Sequence, residues 1–482
     1  MIDLKPIAFV SGTIICATGF FLFIPLVTEI LYQTDQWQAY SIPIILYLIV
    51  GGSLVIVNKD IELSIDLKSG FIITVFSWIL LSFLCAIPFM YAKSNLNWVD
   101  AIFESMSGLT TTGATILTNL DYLPKGILIW RSFLQWLGGV GIIIIALFIL
   151  PFLKVGGMQL FNAEGDDPYE KFLPKISSTV KTIFYVYLLI TAIAILLYFA
   201  FGMNLFDAIN HAFTSIATGG FSTHDSSFAY FNSNSLLIIA SIIMILGSLP
   251  FILIAQTKFK DPFLVFKDSQ VRLFLIILLI IISGLYFLAG RYIDGDLFEK
   301  LAHITFNTIS IISGTGFISE NFENWGNYAT ILFLFIMFIG GCAGSTTSGL
   351  KIFRFQILFL SLSNHLNKIL RPHGIFTNKF NNKSIPENTY ESVMSFFFIF
   401  IITFVCCAIL LSFSGLDFLT CISASASALS NVGPGLGSIV GPEGNYSSIS
   451  PYSKSVLIVA MLLGRLEVLT ILIFFLPKFW KN

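Results

Sequence analysis

Ser107-Gly108-Leu109-Thr110-Thr111-Thr112-Gly113-Ala114-Thr115 is the stretch on which the reading of this chain turns. It closes a short segment that opens near Asp100 and lies between two long apolar runs. Three later segments repeat the plan, with turns at Ala217-Thr218-Gly219-Gly220-Phe221, Ser313-Gly314-Thr315-Gly316-Phe317 and Asn431-Val432-Gly433-Pro434. A single glycine turn means little. Four of them, each between membrane-length runs, imply four loops gathered about one axis, the plan of a filter lined by backbone carbonyls.

Composition puts the runs in a bilayer. Hydrophobic residues make up 56% of the chain and charged residues only 11%, against about 25% in soluble domains. Mean hydropathy is +0.87. Runs at 8–31, 40–57, 71–90, 126–153, 180–201 and 271–288 approach or exceed the ~20 residues that cross a bilayer. A net charge of −1 argues against a basic nucleic-acid surface. The six cysteines have no CxxC spacing, so neither a disulfide framework nor a zinc site is indicated. The first apolar run is too long for a signal-peptide core and lacks an A-x-A site, so it reads as a retained span.

The expected fold is an all-α integral membrane protein. Two transmembrane helices occupy 1–70, followed by span–loop–span units at 71–153, 180–258, 271–350 and 391–476, with a polar cytoplasmic linker at 351–390. That linker reads equally as a solvated connection or as a docking site for a cytoplasmic partner. The middle segments, 98–112, 205–219, 297–315 and 417–432, are too short to cross and read as re-entrant half-helices. Such backbone is tolerated at membrane depth only when buried in protein or lining water. The count is ten spanning helices and four pore loops in pseudo-fourfold arrangement. Basic residues crowd alternate loops, among them Lys59, Lys154, Lys171, Lys260, Lys267, Lys351, Arg354 and Lys368, while the opposite loops hold few beyond Lys93, Lys125, Arg291 and Lys300. The positive-inside rule then places both termini in the cytoplasm and opens the glycine turns outward.

Measured from the aspartates, the copies differ in length. Asp100 to Gly113 and Asp207 to Gly220 are both thirteen residues, whereas Asp296 to Gly316 is twenty and Asp417 to Gly433 sixteen. The third and fourth copies therefore read as carrying insertions. An Asp at a half-helix start accepts orphan N–H groups, and the C-terminal end presents partial negative charge to a cation. Glycine permits the backbone angles that aim successive carbonyls at one axis.

Gly340-Gly341-Cys342-Ala343-Gly344-Ser345-Thr346-Thr347-Ser348-Gly349 interrupts the second run of the third unit. It is a poor helix interior and at membrane depth must line a cavity, so it reads as a mobile gating loop beneath the turns. Arg465 lies within the last apolar run. A buried guanidinium is expensive and faces a pore or a partner; an ion pair with Glu467 or Glu104 is the plainer reading. A phosphate-binding loop at Gly344 to Lys351 fails, because Leu350 stands where the lysine belongs and no strand precedes it. His211, His224 and His303 lack metal spacing and read as polar contacts near the turns. Ser222-Thr223-His224-Asp225 are sequence neighbours, which does not make a catalytic triad, and no enzyme activity is expected.

Six stretches carry a family resemblance: the opening stretch, Trp136-Leu137-Gly138-Gly139-Val140-Gly141, Thr218-Gly219-Gly220-Phe221-Ser222-Thr223-His224, Gly340-Gly341-Cys342-Ala343-Gly344-Ser345-Thr346, Ser430-Asn431-Val432-Gly433-Pro434-Gly435 and Met461-Leu462-Leu463-Gly464-Arg465-Leu466-Glu467. They span nearly the whole chain, which resembles the membrane subunit of the Trk/Ktr/HKT superfamily of potassium transporters, most closely the bacterial TrkH type. The resemblance implies a multi-pass protein of the bacterial inner membrane that takes up K⁺. Gly113, Gly220, Gly316 and Gly433 would be its filter glycines, and Thr111, Thr112, Thr218, Gly219, Gly314, Thr315, Asn431 and Val432 would offer K⁺ their carbonyls. Gly340, Gly341, Gly344, Ser345, Thr346 and Gly349 would form the gate, with Arg465 repelling cations or anchoring the loop. It further implies a homodimer and a peripheral NAD- or ATP-binding subunit of the TrkA type, since this chain carries no nucleotide-binding domain of its own. The third turn departs from the pattern, with Gly314 where Thr or Ser is expected. A Na⁺-permeable channel or a K⁺/Na⁺ or K⁺/H⁺ symporter shares the architecture, although in related proteins Ser at the first filter glycine favours Na⁺, and this chain has Gly113. An organic-solute carrier needs antiparallel repeats, whereas these units run parallel.

Overall fold

A computed structural model of the chain describes residues 4–59, 67–92, 94, 96–148, 172–257, 263–374, 379–381, 383–385 and 387–480. Lys93, Lys154, Lys171 and Lys260, which entered the topology argument, lie outside the described residues, as do the ends of the first and second units at 149–153 and 258.

Two helices lead the chain, Leu4–Phe21 and Gln38–Val57. Glycines bring their backbones together: a Cβ at Gly12 would lie 2.7 Å from Leu54, and one at Gly51 equally close to Cys16. Close approach of this kind drives helix association in lipid. Between them, Phe23–Leu31 carries the fully buried Glu29. Its carboxylate accepts the Gly126 N–H at 2.7 Å, at the start of the helix Lys125–Phe148. A carboxylate there satisfies an orphan donor and complements the helix dipole, so the leading helices are tied to the first unit.

Each unit then runs span, half-helix, turn, helix. The first spans are Leu67–Tyr91, Phe172–Ala200, Ser269–Ala289 and Glu387–Ser412. The half-helices are Trp98–Leu109, Leu205–Ile216, Leu297–Ile312 and Phe418–Ser430. Among the described residues, seven helices are long and apolar enough to cross a membrane, or eight if one bent pair is a single span. The difference from the ten expected is physical. The second helices of the last three units are broken: Asn234–Ser248 stops before Pro250, Asn327–Ile336 runs into the Gly340–Gly349 loop, and Pro451–Arg465 bends by 107° into Val468–Phe475.

Among the described residues, only the first unit keeps its second helix whole. In the apolar window of Lys125–Ile143, 72% of residues are buried, against 22–39% in the other six candidate spans. This helix is the spine of the molecule. Gly138 lets it press on the first half-helix, where a Cβ would overlap the Leu109 carbonyl oxygen, and Gly139 lets it press on Ala217 of the second unit. Within the linker, Ile352–Leu370 is helical, and Lys379–Phe380 pairs antiparallel with Lys383–Ser384.

Gly138→Ala should therefore cost assembly, whereas Gly52→Ala, whose Cβ meets nothing within 4 Å, should gain up to about 1 kcal/mol of helix propensity. Gel filtration and thermal melting in detergent should show a lower melting temperature and several-fold less monodisperse protein for the first variant only. Equal behaviour of the two would contradict the close approach.

Candidate functional site

The four half-helices begin alike once their true caps are counted. Asn97 and Asn204 cap the first two, accepting the N–H of Asp100 and Asp207, while Asp296 and Asp417 cap the others directly. Asp100 and Asp207 thus sit three residues inside their helices, which corrects the sequence alignment. From cap to turn glycine the distance is sixteen residues in the first, second and fourth units and twenty in the third. The fourth copy has no insertion. The third has four extra residues, close to one helical turn.

They also end alike. Thr112, Gly219, Thr315 and Val432 donate their N–H groups to the carbonyls of Ser107, Thr214, Ser310 and Ser427 at 2.8–2.9 Å. Thr111, Thr218, Gly314 and Asn431 donate to Gly108, Ser215, Ile311 and Ala428 at 3.0–3.4 Å. This is the paired bond pattern of a left-handed helix cap. The residue in the left-handed slot has φ of +52° at Thr111, +51° at Thr218, +71° at Gly314 and +54° at Asn431. Gly314 is therefore no departure in geometry. It is the residue best suited to the slot, and Thr111 and Thr218 carry a strain there that glycine avoids.

The turn glycines close a ring. A Cβ on Gly113 would collide with the carbonyl oxygen of Gly219, one on Gly220 with that of Thr315, one on Gly316 with that of Val432, and one on Gly433 with that of Thr112. The loosest of these approaches is 2.8 Å. Each unit's glycine thus faces the residue before the next unit's glycine, in cyclic order back to the first. All four glycines have φ between +80° and +104°. Thr110 pairs with Thr112, and Ser313 with Thr315, through hydroxyls 2.7 Å apart. Asn431 instead reaches across the seam to the Thr112 hydroxyl at 2.8 Å.

On the side of the residues that follow the turns, the ring opens into a cavity of about 400 Å³ lined by all four glycines, with Asp225, Glu320 and Glu443 on its wall. Arg131, also on the wall, forms a buried pair with Glu104 at 2.7 Å, each no more than 1% exposed. Arg131 also donates to the Ser222 carbonyl and the Thr115 hydroxyl, and lies 4.1 Å from the Phe221 ring. Breaking one partner of such a pair costs about 3–5 kcal/mol. His224 joins two units, contacting Asp121 of the first and Asp207 of the second, the latter at 3.1 Å, and stacks on Tyr230. His211 lies against Ser222, and His303 against Ser319. The histidines make polar contacts, as their spacing implied.

On the opposite side lies the 340–349 loop. It is wedged against the second unit, with Cys342 N–H on the Ser248 carbonyl at 3.0 Å and the Thr346 hydroxyl 2.9 Å from the Gly247 carbonyl and 3.1 Å from that of Ile216. Thr218 of the second turn donates to the Thr346 hydroxyl at 3.2 Å. The Ser345 hydroxyl closes the loop on the Cys342 carbonyl at 2.6 Å. Gly340 and Gly349 meet at its base: a Cβ on Gly340 would overlap Ser348, and a Cβ on Gly341 would crowd Ser248. Gly344 takes a φ of +80°. Arg465, 2% exposed, donates to the Thr346 carbonyl at 3.0 Å, the Ser348 hydroxyl at 2.6 Å and the Gly138 carbonyl at 3.2 Å. The expected ion pairs do not form. Glu104 is taken by Arg131, and Glu467 by Arg354 at 2.7 Å. Arg465 thus joins the loop to the spine with its charge answered by neutral oxygens.

Sequence reasoning missed Asn97, Asn204, Arg131 and Gln135. Arg131 and Gln135 had a signal: two polar residues one helical turn apart in an apolar run, which marks an inward-facing side.

The family model for TrkH, described as a cation transport protein, matches residues 37–482. The chain is 38% identical over 479 residues to the Trk system potassium uptake protein TrkI of Halomonas elongata, covering 99% of this chain and 97% of that one. It is 36% identical to the Trk system potassium uptake protein TrkH of Escherichia coli, covering 99% of each. The crystal structure of the potassium transporter TrkH from Vibrio parahaemolyticus superposes with a TM-score of 0.91 at 33% identity, covering 100% of both chains.

The His224 bridge makes a pH prediction. Burial alone would lower its pKa, but hydrogen bonds to Asp207 and Asp121 outweigh that and hold it above the usual histidine value. Burial likewise pushes Asp121 up, and the bond from His224 more than offsets it. A raised histidine stabilises fully below its unfolded pKa of about 6.5, and that stabilisation is lost as pH rises through the native value. Melting temperature in detergent should therefore fall more steeply above about pH 6.5 in wild type than in His224→Gln. Parallel curves would refute the bridge.

Proposed function

The chain belongs to the TrkH family of cation transport proteins, and we propose that it takes up K⁺ through the ring of turn carbonyls. The carrying observation is the cyclic contact of four glycines with four neighbouring carbonyls, which leaves no room for a side chain at any of the four positions. The ion is cargo. It exchanges part of its hydration shell for the carbonyls of Thr112, Gly219, Thr315 and Val432, and for those of Thr111, Thr218, Gly314 and Asn431 one layer below. Four half-helix C-termini converge there, and their partial negative charges favour a cation. Asp225, Glu320 and Glu443 draw cations into the mouth.

Below the ring, the loop spanning Gly340, Gly341, Gly344, Ser345, Thr346 and Gly349 is the gate. Its seat on Gly247 and Ser248 is made of a few hydrogen bonds, each worth about 1 kcal/mol net, so it can open without unfolding the unit. Arg465 holds the loop closed and sets an uncompensated positive charge in the path. The protein works in the bacterial inner membrane with both termini cytoplasmic, as a homodimer. A peripheral nucleotide-binding subunit of the TrkA type supplies nucleotide control.

In proteoliposomes, ⁸⁶Rb⁺ uptake should exceed that of empty vesicles, and deletion of 343–348 should raise it several-fold. Unchanged or abolished flux in well-folded deletion protein would contradict the gate. Arg465→Ala should also raise basal flux, because three hydrogen bonds to loop and spine are lost; unaltered transport would remove Arg465 from the pathway.

A further inference from the structure

The ring is not equivalent in its four parts, and the difference sits at one carbonyl. The first and third units place Thr112 and Thr315 before their ring glycines, and each side chain is held by a hydroxyl partner in its own turn. The second unit has Gly219 at that position. The space a side chain would fill is occupied by Gln135, which reaches over from the spine helix of the first unit; a Cβ on Gly219 would overlap its amide.

Gln135 is fully buried. Its Nε2 donates to the Gly219 carbonyl at 2.6 Å, and its Oε1 accepts the Phe221 N–H at 3.0 Å. Because one partner is an acceptor and the other a donor, the orientation of the amide is fixed. The two bonds bracket Gly220 from both sides. Among the described residues, the Gly219 carbonyl alone of the four ring carbonyls accepts such a bond.

We propose that Gln135 is a specificity-determining residue, positioning the Gly219 carbonyl and so setting the discrimination of the ring between K⁺ and the smaller Na⁺. The assignment rests on the potassium reading above. A smaller ion is coordinated well only if the ring carbonyls move inward. The bond to Gln135 holds one of the four outward and engages one of its lone pairs, so collapse around Na⁺ is opposed at that quadrant. The same bond crosses the seam between two units, so it also sets the spacing between Gly113 and the Gly219 oxygen. Gln135 does not touch the ion; it acts through the carbonyl.

The test compares ⁸⁶Rb⁺ and ²²Na⁺ uptake in proteoliposomes of wild type, Gln135→Met, Gln135→Glu and the double variant Gln135→Ala with Gly219→Thr. Methionine keeps the length and loses both bonds, and glutamate, assayed at alkaline pH so that it is ionised, keeps the acceptor for Phe221 but cannot donate to Gly219. Each should lower the Rb⁺ to Na⁺ ratio roughly tenfold, the scale of one lost hydrogen bond. The double variant restores the threonine of the first and third units and should recover most of the ratio. A wild-type ratio in folded Gln135→Met or Gln135→Glu overturns the proposal, and so does a double variant no better than the single ones. If Gln135→Met does not assemble, Gln135→Glu supplies the same reading. Wild type that passes neither ion would instead overturn the potassium reading itself.

Discussion

The structure depends on one steric constraint: at four places a glycine must lie against the carbonyl oxygen of the neighbouring unit. No L side chain fits there, and no glycine can move without shifting the next carbonyl in the cycle. The constraint propagates backward along each half-helix, whose end must carry the same left-handed cap to deliver the turn. It propagates outward to the helix Lys125–Phe148, which must approach both the first and the second turn and does so through Gly138 and Gly139. Polar groups at this depth have no water to fall back on. The bonds from Arg131, Gln135 and Asn431 therefore fix the geometry more firmly than similar bonds would at a surface.

Pseudo-symmetry ends with the turns. The second helices of the last three units break, each by a different device: a proline, a glycine-rich loop and a sharp bend next to Glu467, whose φ is +60°. The breaks gather on one side of the ring, where Arg465, the 340–349 loop and the Gly247–Ser248 backbone meet. The first unit keeps its second helix unbroken, and the other three carry the breaks. This division explains why the unbroken helix is also the most buried. The loop is seated by hydrogen bonds together with the apolar packing of Cys342 and Ala343.

The repeat of span, half-helix and turn was legible from apolar runs and glycines, because bilayer thickness and backbone angle leave their mark locally. The four ring glycines and the interrupting loop were found the same way. The half-helix starts at 98 and 205 were read correctly, but the capping role was misassigned to Asp100 and Asp207, because Asn caps as well as Asp and the more conspicuous charge drew the alignment. The fourth unit's apparent insertion followed from that error. Gly314 looked anomalous because residue type was compared, whereas the turn selects a backbone angle that Gly, Asn and a strained Thr can all adopt. Partner choice was not legible at all. Whether Arg465 meets Glu104, Glu467 or carbonyls depends on which helices become neighbours, and only the fold decides that.

The most direct test of the account is the anomalous density of Rb⁺ in crystals of the full chain grown in a rubidium salt. The account predicts an ion on the axis of the ring, in contact with the carbonyl oxygens of Thr112, Gly219, Thr315 and Val432. A ring without density, with Rb⁺ bound only at the acidic mouth or elsewhere in the protein, would contradict it.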